Sequence, residues 1–164
     1  MIDFSQLDKI FERIASSMNF LEESEKRAVV RSLRTMYFYP DELLKYLNEL
    51  INTQAANPES SIAGGARFAS TEGDMDEAIR FITSKSVATN LKLSVEMVDE
   101  LRHLADFKSG VRGLLHAIFV TWMFERDRAK VLEQAIEARN DIAYLNGRIR
   151  DLEAAIMCPT SRES

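Results

Sequence analysis

Cysteine is almost missing from this chain. The single thiol, Cys158, can build neither an intramolecular disulfide nor a cysteine-based zinc site, and no histidine or basic neighbour is arranged to activate it. A reducing compartment suits such a sequence, and the cytoplasm is the expected location. Breakers are scarce too: 6 glycines and 3 prolines leave long stretches that favour helix and argue against an all-β fold with its many turns. Only two histidines occur, His103 and His116, without the His-Glu-x-x-His spacing of a metal site. Gly64-Gly65 is not followed by Gly-Lys-Ser/Thr, so there is no phosphate loop, and the acids between Glu72 and Glu77 lack the regular spacing of a calcium loop. No apolar run approaches the roughly 18 residues that a membrane span needs. The opening Met1-Ile-Asp-Phe-Ser carries an acid where an export signal has basic residues. Neither a membrane role nor export is therefore expected. Neither sign of charge dominates: 21 Lys and Arg stand against 26 Asp and Glu, for a net charge of −5, which disfavours sequence-independent wrapping of nucleic acid.

What the chain does contain is helical periodicity. Leu7, Ile10, Phe11, Ile14 and Met18 recur at steps of three and four and predict a first helix over about 3–18. Val29, Val30, Leu33, Met36 and Tyr37 predict a second over about 23–37. Pro40 is then expected to end that helix and open a third over about 40–51, with Leu43, Leu44, Leu47, Leu50 and Ile51 as its apolar side. From Asn52 to Gly73 the pattern collapses into small polar residues, glycines and Pro58, which reads as a linker or mobile loop. Helix resumes at Asp74 in three short pieces, about 75–83, 85–91 and 94–107. A single long helix is expected from about Val111 to Met157. Its first part, Leu114 to Phe124, is apolar nearly all round and reads as the central core helix.

From Val131 onward the apolar residues step by four and three: Val131, Ala135, Ala138, Ile142, Leu145, Ile149, Leu152 and Ile156. Ala135, Ile142, Ile149 and Ile156 fall at a, the others at d, and isoleucine at a with leucine at d favours a parallel two-stranded coiled coil. The flanking g-to-e′ pairs would be Gln134 with Arg139, Asp141 with Asn146, and Arg148 with Glu153, so the core rather than the rim would choose the partner. The competing arrangement packs the same stripe antiparallel on the chain's own helices.

The segment Ser84 to Leu101 resembles the helix-turn-helix of DNA-binding regulators: Val87, Ala88, Leu91, Leu93, Val98 and Leu101 occupy the positions which that motif keeps apolar, and Lys92 stands where its turn usually has glycine. The resemblance implies a recognition helix whose outward residues are Val95, Glu96, Asp99, Glu100 and His103. Three are acids, a poor match to a phosphate-lined groove. A better phosphate surface is the helical face of Lys26, Arg27, Arg31 and Arg34.

The sequence thus predicts an all-α protein: an N-terminal helical bundle at 1–52, a linker at 53–74, a helical core at 75–124 containing the helix-turn-helix-like segment, a coiled-coil oligomerisation helix at 125–157 and a disordered tail at 158–164. With no catalytic constellation, metal site or cofactor motif, the expected function is that of a non-enzymatic regulatory or adaptor protein. It is expected to form a homodimer through 131–156 and to bind a protein partner. The alternative is a dimeric helix-turn-helix transcriptional regulator with DNA as its partner.

Overall fold

The computed structural model describes residues 4–60, 69–104 and 110–157, and its regular elements are helices, with no strand among the described residues. The all-α expectation therefore holds. Residues 61–68 of the expected linker, Cys158 and the rest of the expected tail lie outside the described residues.

Helix α1 (Phe4–Ser17) forms on its apolar stripe: Leu7, Ile10, Phe11 and Ile14 are all buried. A 3-10 turn at Met18–Phe20 closes it, and Leu21 N–H returns to the Met18 carbonyl at 3.1 Å. Helix α2 (Glu23–Asn52) begins with Glu23 and Glu25 at the positive end of its dipole. It does not stop at Pro40. The expected second and third helices are one, with the proline inside it. The reason is a register that runs through the proline: Val29, Leu33, Met36, Pro40, Leu43, Leu47 and Leu50 step by four and three without interruption, and all are buried. A proline in a helix interior costs about 3 kcal/mol. Burial of each large apolar side chain contributes about 1.5–3 kcal/mol. A break at Pro40 would swing Leu43, Leu47 and Leu50 off the buried line, so continuity wins.

Helix α3 (Ala69–Ile82) starts earlier than expected, which makes residues 69–74 of the predicted linker helical. Met75, Ala78, Ile79 and Ile82 anchor it, chiefly on α2. Two short helices follow, α4 (Lys85–Asn90) and α5 (Val95–Leu104). Ser94 caps α5, its hydroxyl accepting from Met97 N–H at 3.2 Å. Next comes α6 (Val111–Glu125), entered at Gly110. A Cβ there would lie 2.3 Å from the carbonyl oxygens of His103 and Leu104, so only glycine lets α6 approach the end of α5 so closely.

The last helix, α7 (Arg128–Met157), is separate from α6, and the single helix expected over 111–157 is broken at Arg126-Asp127. Neither glycine nor proline marks the break. Arg126 turns the chain in the left-handed region (φ 52°), held by an ion pair to Glu59 at 2.7 Å and by its guanidinium lying 5.0 Å from the Trp122 ring. Asp127 then caps α7, its carboxylate accepting from Lys130 N–H at 3.0 Å.

Helix α7 runs antiparallel to α2. At one end Arg34 pairs with Glu153, and Arg150 meets the Tyr37 hydroxyl and ring; at the other Arg128 Nε donates to the Gln54 carbonyl at 2.9 Å. Each helix has 30 residues, about 45 Å of length. The two stepped stripes face each other inside the chain. The residues of the expected dimer seam, Val131, Ala135, Ala138, Ile142, Leu145, Ile149 and Leu152, are buried by the protein's own helices, and Ile156 is half-buried. The antiparallel intrachain arrangement explains it, because α2 supplies a matching stripe at far higher effective concentration than a second molecule could. On its other side α7 receives α1: Tyr144 hydroxyl and Arg148 Nε donate to the Asp8 carboxylate at 2.8 and 2.7 Å, and the Phe4 and Tyr144 rings meet at 4.6 Å. Buried side chains from α1 to α7 join in one apolar cluster.

Candidate interaction surfaces

Helix α6 owes its character to composition. From Leu114 to Phe124 it carries no Asp, Glu, Lys or Arg, so its placement decides how much apolar surface the protein shows. One side, with Val111, Ile118 and Thr121, is buried, chiefly against α7. The opposite side faces solvent. His116, Ala117, Phe119, Val120, Met123 and Phe124 are all exposed, Met123 by 47% and Phe124 by 84%. The expected central core helix is thus a flank helix: α7 has already spent its other faces on α1 and α2, and nothing among the described residues covers the outer arc of α6. Apolar side chains exposed together are a mark of interaction sites, and phenylalanine and methionine are among the residues enriched there.

The corner after α6 fixes this face. The Glu59 carboxylate accepts from Arg126 and, at 3.4 Å, from Trp122 Nε1, and these hydrogen bonds, led by that of Arg126, hold its carboxyl below the usual glutamate range. The end of α2 is tied to the same corner through Gln54, which together with Ala55 turns in the left-handed region; Ala55 is fully buried there.

The predicted phosphate-contact residues do come together. Lys26, Arg27, Arg31 and Arg34 line one groove of about 420 Å³, formed where the start of α2 meets the end of α7. Two of the four are answered by acids, Lys26 by Glu23 at 3.1 Å and Arg34 by Glu153. Arg27 Nε donates to the Glu23 carbonyl at 3.4 Å, and the Arg31 side chain has no hydrogen-bond or ion-pair partner among the described residues. Arg31 also borders a second cavity of about 480 Å³, whose α3 wall carries Asp74 and Glu77. The apolar wall of the first groove, Val30, Ile156 and Met157, is not legible from local spacing, since nothing local places α7's end beside α2's start.

In the helix-turn-helix-like segment, α4 and α5 are joined through Lys92, whose φ of 56° is the left-handed conformation that usually asks for glycine. Its ammonium group lies 3.8 Å from the centre of the Phe20 ring, an anchor glycine could not provide. Outward from α5 stand Val95, Glu96, Asp99 and His103, with Glu100 half-exposed. His103 Nδ1 is 2.7 Å from the Asp99 carbonyl and His116 is exposed on α6. Among the described residues no group of three or more His, Cys, Asp and Glu side chains could hold a metal ion, and no helix is long and apolar enough to cross a membrane.

Comparison with known proteins finds no family model, no curated protein sequence and no solved structure that matches this chain.

Proposed function

We propose that this is a non-enzymatic regulatory or adaptor protein that acts through protein–protein association, and that the surface it uses is the outer face of α6. The observation that carries the reading is the exposure of Phe119, Val120, Met123 and Phe124 on one uncharged helix face. A second copy of the chain fits that face directly. Two such faces, each without charge, are complementary to each other, and a two-fold pairing places the same patch on both sides of the contact. The homodimer expected from the sequence is therefore assigned to α6 instead of 131–156. Light scattering across a concentration series tests it: the wild-type chain should reach twice the monomer mass, and Phe119→Ser with Phe124→Ser should stay monomeric with unchanged helical circular dichroism. A wild-type mass that stays monomeric throughout overturns the dimer, and dimerisation of the double variant overturns the assignment to α6.

A DNA-binding regulator is the second reading, and the left-handed turn at Lys92 between α4 and α5 is the observation in its favour. Against it stands charge, because the outward acids of α5 would approach a phosphate-lined groove. Fluorescence anisotropy on labelled duplexes separates the readings: saturable, salt-dependent binding that Arg31→Ala and Arg34→Ala weaken favours DNA, and absence of binding leaves the α6 reading.

A further inference from the structure

The groove between the start of α2 and the end of α7 lies at the far end of α7 from the α6 corner, and its chemistry is different. Arg27 and Arg31 are one helical turn apart on α2, a spacing at which like charges repel. Among the described residues no carboxylate forms an ion pair with either one. Between them on the helix stands Val30, and the wall opposite is apolar, built from Ile156 and the half-exposed Met157. A volume of about 420 Å³ is that of a small-molecule site. Guanidinium groups match carboxylate and phosphate oxygens in paired hydrogen bonds.

The geometry points to a binding site for a small anionic amphiphile, its carboxylate or phosphate-monoester head held by Arg27 and Arg31 and its apolar body laid against Val30, Ile156 and Met157. Lys26 and Arg34, already paired with Glu23 and Glu153, flank the head without being committed to it. Duplex nucleic acid fits less well, because the groove is one small cavity; Glu23 also lines it, its carboxylate answered by Lys26 at 3.1 Å.

Octyl phosphate, titrated into the full-length protein and followed by methyl NMR of Met157 and Ile156, is the test, with octanoate alongside to rank the two head groups. Saturable shifts at these methyls are expected, with affinity about tenfold or more above that for inorganic phosphate or for octanol, since each lacks one half of the recognition. Arg31→Ala, an exposed position whose loss leaves the core intact, should weaken octyl phosphate by about tenfold or more while octanol is unaffected. Equal affinity of wild type and Arg31→Ala overturns the assignment of the head group. Inorganic phosphate binding as tightly as octyl phosphate overturns the apolar half. Recruitment to vesicles containing phosphatidic acid, without saturable binding of monomeric octyl phosphate, makes this face a membrane contact and overturns the small-ligand site.

Discussion

Ile142→Ala separates the intrachain pairing of α2 and α7 from any intermolecular seam. Ile142 is fully buried on the inner stripe of α7. Truncation there removes three side-chain carbons and leaves a cavity that two long packed helices cannot close, for a loss of about 2–5 kcal/mol. Set against a typical total stability of about 5–15 kcal/mol, that is large but survivable. With a urea slope of about 2 kcal/mol/M, a loss of about 3 kcal/mol lowers the unfolding midpoint by roughly 1.5 M. The measurement belongs in the Phe119→Ser, Phe124→Ser background, so that association through α6 does not contribute. If α7 closes on α2 of the same chain, the midpoints of both the background protein and its Ile142→Ala derivative are independent of protein concentration. If 131–156 were a dimer seam, a hundredfold change in concentration would shift stability by about 2.7 kcal/mol, or roughly 1.3 M in midpoint. A concentration-dependent midpoint, or a loss well under 1 kcal/mol, would refute the packing described.

Three further outcomes are expected. Gly110→Ala places a methyl against two backbone carbonyls and should cost about 2 kcal/mol, or roughly 4–8 °C in Tm; an unchanged Tm contradicts the close approach of α5 and α6. Asn146 is buried with its side-chain oxygen unpartnered, so Asn146→Leu should raise stability by about 1 kcal/mol in urea unfolding, whereas a loss would reveal a partner. Glu59 has a folded-state pKa below its ordinary value, so its stabilising contact is present above the normal glutamate range and is lost as pH falls through the lowered value. Emission from Trp122, the single tryptophan, should change in that acid limb and Glu59→Gln should abolish the change; a limb that survives the substitution places its origin elsewhere.

Short-range periodicity makes most helices legible in the sequence. The stripe of α1 and the three short helices α3 to α5 follow from local apolar spacing, because each buries a single face. The failures came where one local signal competed with a longer one. At Pro40 the helix-breaking residue outweighed, in a window of a few residues, a stepped register that only becomes persuasive when Val29 and Leu50 are counted together. At Arg126 the reverse occurred: no breaker was present, and the turn rests on Glu59, a residue distant in sequence, while the Asp127 cap was a readable signal. The heptads of α7 were visible, but a heptad specifies that a helix packs and leaves open on what; the matching stripe in α2 is what decides between a neighbour in the chain and a second molecule. The uncharged run of α6 was read as core because composition alone does not distinguish a helix covered on all sides from one left open to a partner. The basic cluster was found from spacing, and its apolar wall was not, since Ile156 and Met157 reach it only through the tertiary fold.

The antiparallel pairing of α2 with α7 also sets an order of events during synthesis. Between Asn52 and Arg128 lie 75 residues that must be made before the first turn of α7 exists. At about 5–20 residues per second the α2 stripe waits roughly 4–15 s for the start of its mate, and longer for Ile149 and Leu152, which pack nearest the beginning of α2. Through that interval Leu33, Met36, Leu43, Leu47 and Leu50 have only α3, made part-way through it, to shelter them. A helical protein, normally quick to fold through local contacts, is thereby given a distant one as its longest step. The nascent chain is adhesive for seconds along a line about 25 Å long, and whatever binds such lines in the cell has time to find it.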